Sequence, residues 1–406
     1  MKIYLVGGAV RDLIMGVTPK DRDYVVVGST PEEMISLGYH PVGADFPVFL
    51  HPQTSEEYAL ARTELKDGNG YKGFKVAFGP EVTLEDDLSR RDLTVNSIAM
   101  DSDGFIIDPF NGAYDIKHGI LRPTTEAFKD DPVRVLRAAR FLARYPWFTS
   151  SKELDLMVAE VYDSGELNHL VPERVWSETV RALGESTPSR YFEFLCGMGI
   201  FPEIDAFRDV EEHNKWHPEY DVFTHIMLSI NYAAKQGFDT LTRFGVLCHD
   251  LGKPAAYAAT GGLKSTSHES LGVPIAKSLC ERLKVPSDYA YTAMRAAEFH
   301  THVHLSFEMR PSTILKLFKK FKSREWFMRL LNVAESDKRG RGAPACDWVY
   351  TQPLYMLKCW NSYEETDTKA ITSVMEPGPK VGEAITRAQI KSIAAVDTKL
   401  FDGRGL

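Results

Sequence analysis

Ile3-Tyr4-Leu5-Val6-Gly7-Gly8-Ala9-Val10-Arg11-Asp12, followed by Asp21-Arg22-Asp23-Tyr24-Val25-Val26-Val27, is the stretch whose reading decides the fold. Two β-rich apolar runs flank a glycine pair and a carboxylate pair, so each run reads as a short strand with polar residues at its end. Side chains alternate across a strand, which places carboxylates at i and i+2, Asp21 and Asp23, on one face. Magnesium takes hard oxygen ligands and keeps waters and substrate phosphates, so such a pair together with a nucleoside triphosphate would complete its octahedron. The glycines would let backbone amides approach a phosphate that Arg11 could neutralise. Each feature also has a plainer form, the Asp-x-Asp as a solvated turn and the Gly-Gly as a tight turn.

Outward from this stretch, Val48-Phe49-Leu50 and Tyr58-Ala59-Leu60-Ala61 alternate with Gly, Pro and Asp, which predicts a small mixed α/β domain to about residue 120. Lys66 to Gly73 has three glycines and almost no apolar anchor, and reads as a mobile loop. After about residue 126 apolar positions fall three and four apart at Val135, Ala138, Ala139 and Leu142, and helices are expected from there onward. Breaks between helical parts are expected at Pro202–Pro218 and Lys338–Pro344.

Two arginine-rich stretches follow the carboxylates: Arg90-Arg91-Asp92-Leu93-Thr94-Val95-Asn96, then Asp130-Asp131-Pro132-Val133-Arg134-Val135-Leu136-Arg137-Ala138-Ala139-Arg140. Pro132 suits a helix's first turn, and acidic residues are favoured there. Asp131, Arg134, Arg137 and Arg140 step three at a time along one broad helix face, the opposite face being apolar. An aspartate beside arginines offers acceptors and a planar donor fork, which is what reading a base edge with protein requires. A surface ion-pair ladder fits the same spacing.

Composition bounds the rest. A chain of 406 residues exceeds what one core usually holds, so two or more domains are expected. With 44% hydrophobic and 26% charged residues and a mean hydropathy of −0.24, it is neither disordered nor fibrous. A net charge of −8 excludes a broadly basic nucleic-acid coat, so any RNA site is a local patch. Lys316, Lys319, Lys320 and Lys322 are one basic run, readable equally as a solvated helix face. Five cysteines, odd in number and without a C-x-x-C, indicate neither a disulfide framework nor a structural zinc site. The apolar run before Gly7 is too short for a signal segment and no stretch reaches membrane length, so the expectation is a cytoplasmic protein with no membrane partner.

The ordered set Gly-Gly-x-x-Arg-Asp, Asp-x-Asp, Arg-Arg-Asp-Leu-Thr-x-Asn and Asp-Asp-x-x-Arg resembles the class II nucleotidyltransferases, specifically bacterial CCA-adding enzymes. The resemblance extends over Phe46-Pro47-Val48-Phe49-Leu50-His51-Pro52, Pro172-Glu173-Arg174-Val175-Trp176 and the His249-Asp250 region. It implies an α+β protein with a polymerase-beta-like head at 1–125, a helical neck at 126–205 carrying the templating helix, an HD-type body at 206–335 and a helical tail at 336–406. It implies Mg2+ on Asp21 and Asp23, the triphosphate held by Gly8, Arg11 and Arg91, and CTP or ATP templated by Asp131 and Arg134, with Arg137 and Arg140 in support. The implied reaction adds CCA to the acceptor end of tRNA, by a monomer or a homodimer. Asp130 stands where the family usually has Glu, and Pro172–Trp176 is read as supporting the neck rather than touching substrate.

Val246-Leu247-Cys248-His249-Asp250-Leu251-Gly252-Lys253, with His225 and His268, resembles the HD phosphohydrolase domains of this branch, whose members show phosphatase, 2'-nucleotidase and 2',3'-cyclic phosphodiesterase activity. His225, His249, Asp250 and His268 are the expected metal set, with imidazole suiting nickel, zinc or iron. The chain departs from that pattern at Ser265-Thr266-Ser267, where relatives cluster histidines, and at Thr301, where an acidic residue is common. His300, His302 and His304 are read as surface histidines in a loop that could supply a replacement ligand. A poly(A) polymerase shares the head chemistry but usually has a basic carboxyl tail and no HD segment. A phosphohydrolase whose head merely binds nucleotide is the alternative of a different class.

Overall fold

The apolar runs form strands because their β-branched and aromatic residues fit a pleated, half-buried surface. The computed structural model describes residues 1–42, 48–66, 74–211, 221–262, 267–342 and 345–401. The strands are β1 (Lys2–Val6), β2 (Asp23–Val27), β3 (His40–Val42), β4 (Val48–Leu50), β5 (Glu57–Leu60), β6 (Arg62–Lys66), β7 (Phe74–Phe78), β8 (Ala99–Met100), β9 (Ile106–Ile107), β10 (Ile120–Leu121) and β11 (Thr149–Ser150). Seven of them make one mixed sheet in the order β3-β4-β5-β2-β1-β8-β9. Central β2 runs antiparallel to β1 and parallel to β5, so Asp23 pairs in register with Val6 on one side and Glu57 on the other.

Alternation along β2 covers both faces of the sheet. Val25 packs in an apolar cluster with Val6, Ala61, Leu88 and Ala99, whereas Val26 joins Met34, Phe49, Tyr58 and Leu60. Each of the larger of these side chains contributes roughly 1.5–3 kcal/mol by leaving water, which pins the sheet and the residues at the strand ends. The hairpin β6–β7 stands apart from this sheet. It was not legible as strand in the sequence; residues 67–73 of the expected loop lie outside the described residues.

The chain divides into two compact units, Met1–Thr179 and Val180–Leu406. All named strands belong to the first; the second is built of helices, as the α+β expectation requires. One core of the second unit gathers Phe318, Phe327 and Trp360, with Phe327 and Trp360 stacked at 4.7 Å. The helix Arg324–Arg339 runs through the boundary expected at residue 335 and ends beside the expected break at Lys338. At the other expected break, a short helix Pro202–Asp205 and a 3-10 turn Ala206–Asp209 precede residues 212–220, which lie outside the described residues, as do residues 343–344. Among the described residues no helix is long and apolar enough to cross a membrane, and Cys196, Cys248, Cys280 and Cys359 are free thiols.

Candidate active site

The first unit brings the sequence motifs together through its own ion pairs. β1 ends at Val6, and Gly7 turns the chain into the helix Gly8–Ile14 with φ of 68°, a backbone that side-chain-bearing residues rarely adopt. A Cβ at Gly7 would stand 3.0 Å from Nη1 of Arg91, so that guanidinium lies close against the turn. The first and third motifs therefore meet over Gly7, with Gly8 opening the helix beside it.

Arg91 is aimed from below. Its Nε and Nη2 donate to Oδ2 of Asp87 at 3.3 and 3.0 Å, and Asp87 is fully buried and also grips Arg90 at 2.6 Å. Burial alone would raise the Asp87 pKa, but Arg90 and Arg91 bring it below the usual carboxylate value. Nη1 of Arg91 has no hydrogen-bond partner among the described residues and remains a donor available to an anion.

Asp23 opens β2 and Asp21 sits in the bend two residues earlier, so strand alternation governs Asp23 and does not reach Asp21. Partial enclosure raises the Asp23 pKa, Arg91 opposes this, and the neighbouring Asp21 carboxylate adds to it. Neither carboxylate makes an ion pair among the described residues. Two mutually repelling oxygen donors without an ion-pair partner among the described residues fit a hard divalent ion such as magnesium.

Arg11 lies deeper than its motif suggests. It is 4% exposed, donates from Nη1 to Oδ1 of Asn96 at 2.6 Å and from Nη2 to Asp12 at 2.8 Å, and lies over the Phe141 ring at 5.1 Å. In this arrangement its fork ties the first motif to the third instead of reaching outward. Asp92 ties the third to the fourth: it accepts from Asn96 at 3.0 Å and from Nε of Arg137 at 2.7 Å. Burial would raise the Asp92 pKa, yet Arg137 and Asn96 hold it well below the ordinary range.

The fourth motif forms the helix Val133–Arg144, buried on almost every side. Its arginines do not form a ladder with one another. Arg134 donates to the Ala127 carbonyl at 2.8 Å, Arg137 takes Asp92, and Arg140 takes Oε2 of Glu178 at 2.6 Å. Asp131, just before the helix, is held by both terminal nitrogens of Arg174, at 3.1 and 2.7 Å. Glu178 and Asp87 were missed in the sequence because an isolated acid on a helix carries no periodic signal. Arg174 was visible only as part of Pro172–Trp176.

The second unit holds a separate cluster of titratable groups. His225 lies on the helix Val222–Lys235, and His249 and Asp250 end the helix Thr240–Cys248; all three are buried. Two sets of ligand atoms lie close enough to share an ion: His225, His249 and Asp337, and His249, Asp250 and His300. Nδ1 of His249 is 2.7 Å from the Val246 carbonyl and Nδ1 of His300 is 2.9 Å from that of Ala296. A proton on each Nδ1 leaves both Nε2 atoms as lone-pair donors, the form a metal requires.

The close groups contain His225, His249 and Asp250 of the expected set and add two residues to it. His268 stays near, with Nε2 3.2 Å from Oδ1 of Asp250, but Asp337 and His300 complete the close groups. The histidines read as a surface loop form the last turn of the helix Ser287–His304, where His300 is 2% exposed. His304 holds Oδ2 of Asp337 at 2.6 Å and meets the Tyr350 hydroxyl at 2.8 Å. Asp337 had no signal of its own, being one polar residue in an ordinary amphipathic helix. Residues 263–266, which include Ser265 and Thr266, lie outside the described residues. Thr301, the other departure, donates to Glu269 at 2.8 Å.

Residues 3–122 match the model of the Poly A polymerase head domain. Over those residues the chain is similar to that head. The match contains Asp21, Asp23, Arg91 and Asp92 and stops before Asp131. Solved structures extend the likeness past the head. A CCA-adding enzyme in an apo form is 21% identical, covering 97% of this chain and 88% of its own, with a TM-score of 0.65. The Bacillus stearothermophilus CCA-adding enzyme in complex with CTP is 23% identical, covering 98% and 90%, with a TM-score of 0.62. The Thermotoga maritima CCA-adding enzyme complexed with tRNA is 18% identical, covering 99% and 90%, also at 0.62. The chain has the fold of these proteins over nearly its whole length, head included.

Proposed function

We propose that this protein is a nucleotidyltransferase that adds and repairs the 3'-terminal CCA of tRNA from CTP and ATP. The observation that carries this is the convergence in one unit of Asp21 and Asp23, Gly7 beneath Arg91, Arg11 on Asn96, and Asp92 on Arg137. The CTP and tRNA complexes of the similar solved structures support the choice of substrates. The layout of head 1–125, neck 126–205, body 206–335 and tail 336–406 belongs to the same proposal, with the helix Arg324–Arg339 shared by body and tail.

In the reaction, the primer 3'-oxygen bonds to the α-phosphorus of the nucleotide, the bond to the β-phosphate bridging oxygen breaks, and pyrophosphate leaves. Asp21 and Asp23 would hold magnesium, which supplies Lewis-acid stabilisation of the charge developing on the transferring phosphate. Arg91, steadied by Asp87, presents Nη1 to the triphosphate beside Gly8. Arg11 adds positive charge from beneath while it braces Asn96. Asp131 and Arg134 read the base, and Arg137 and Arg140 fix the helix that carries them. Duplex RNA is bound chiefly by shape and backbone contacts, which suits an acidic chain with local basic patches.

A second activity is proposed on the His/Asp cluster. His225, His249, Asp250, Asp337 and His300, with His268 beside them, would hold nickel or another divalent ion for phosphomonoester or 2',3'-cyclic phosphate hydrolysis. The mixed imidazole and carboxylate donors suit that class of metal.

The test of the transferase is to supply magnesium, CTP, ATP and tRNA lacking CCA to the wild type and to an Asp21→Ala, Asp23→Ala double variant, resolving products at single-nucleotide length. Addition of C, C and A that vanishes in the variant is expected. Long A tails would instead indicate a poly(A) polymerase, the reading favoured by the head match taken alone, and full activity in the double variant would sink the carboxylate assignment.

A further inference from the structure

Resting on the reading of Asp131 as the residue that meets the base, we infer that Arg174 is a specificity-determining positioning residue that locks the Asp131 carboxylate for CTP and ATP. An ionised carboxylate has about four acceptor positions. Oδ1 of Asp131 accepts from the Val133 backbone N–H at 3.1 Å and from Nη1 of Arg174 at 3.1 Å, and Oδ2 accepts from Nη2 of Arg174 at 2.7 Å. Among the described residues three positions are filled, which leaves one on Oδ2 for a nucleotide.

The lock has a chemical consequence. A bidentate guanidinium fixes the plane of the carboxylate, and an ionised carboxylate only accepts hydrogen bonds. Cytosine N4 and adenine N6 are amino donors, whereas uracil O4 and guanine O6 are acceptors. One oriented acceptor position therefore serves both wanted bases and repels both unwanted ones. The backbone amide of Val133 anchors the same carboxylate to the start of the helix Val133–Arg144. The fork comes from the helix Pro172–Gly184, whose Glu178 also binds Arg140, so two ion pairs hold the helices in register around the base-reading position.

The experiment compares wild type with Arg174→Ala and Arg174→Lys, the latter keeping charge but losing the fork. Equilibrium binding of CTP, ATP, UTP and GTP in magnesium is measured beside kcat and KM for each nucleotide on tRNA lacking CCA, with melting temperature as the fold control. The CTP-over-UTP and ATP-over-GTP preferences should fall about tenfold or more in Arg174→Ala, the loss of an oriented charged hydrogen bond. The fall should come mainly through higher KM for CTP and ATP, with a smaller fall in Arg174→Lys. If Arg174→Ala does not fold, the Arg174→Lys comparison decides alone. Unchanged preferences in a folded variant overturn the inference, and so does a lower KM for CTP and ATP, because Arg174 would then cover Asp131 and compete with the base. A wild type that discriminates in binding but adds no nucleotide refutes the transferase reading only. A wild type that adds C, C and A while Arg174→Ala discriminates as well refutes the inference only.

Discussion

Asp92 shows at the scale of one residue why the head tolerates so many charges. It is 6% exposed and linked to both Asn96 and Arg137, so the third and fourth motifs share one carboxylate. The Arg137 side chain is 37% exposed, so its charge stays hydrated when the carboxylate is removed, and the loss is that of hydrogen bonds to a charged group, about 1.5–3 kcal/mol. Asp92→Asn is expected to lose that much in urea unfolding at pH 7. Because the folded pKa of Asp92 is depressed, its contribution is complete above the unfolded value of about 3.9 and drains as the pH falls below it. The difference between wild type and Asp92→Asn should therefore shrink below about pH 4; a gap independent of pH down to 3 would show that the charge is not what holds the motifs together.

At the scale of the element, close helix packing around the His/Asp cluster depends on Gly252. A Cβ there would stand 1.9 Å from the His268 carbonyl oxygen, backbone against backbone, so the helix His268–Arg282 approaches only because residue 252 has no side chain. Gly252→Ala is expected to cost about 1–3 kcal/mol through overpacking and to weaken nickel binding measured by titration calorimetry, since His268 and Asp250 would be pushed apart. Unchanged stability and affinity would mean the helix yields without consequence. The elements also show what could be read from the sequence. Ile3–Val6 and Tyr24–Val27 were legible because β-branched and aromatic residues are concentrated there, and Val133–Arg144 because its apolar positions recur at helical spacing. The hairpin Arg62–Lys66 with Phe74–Phe78 was not, because its strands border a glycine-rich stretch and β6 carries charged residues. Asp21 and Asp23 announce themselves by spacing, whereas Asp337 and His300 reach their cluster only through tertiary packing, which no local pattern encodes.

At the scale of the whole molecule, the chain carries two metal-seeking groups of different chemistry, each inside its own compact unit. Asp21 and Asp23 offer only hard oxygens, while the cluster of His225, His249, Asp250, His300 and Asp337 mixes oxygens with imidazole nitrogens. On the proposed reading, donor softness would separate the ions, magnesium with the first group and nickel, zinc or iron with the second. A ligand that binds only the folded state stabilises it by about 2.7 kcal/mol at a hundred times its Kd, so scanning calorimetry of the full chain reads each site by ion. Nickel should raise the melting temperature of the wild type and of the Asp21→Ala, Asp23→Ala double variant alike, and shift Asp337→Asn less, because His249, Asp250 and His300 remain. Asp337→Asn also loses the Arg341 pair at 2.7 Å, so its own baseline falls and the nickel-induced shift, not the absolute temperature, is the quantity compared. A nickel shift that disappears with Asp21 and Asp23 would place the ion in the head and remove the His/Asp cluster as a metal centre.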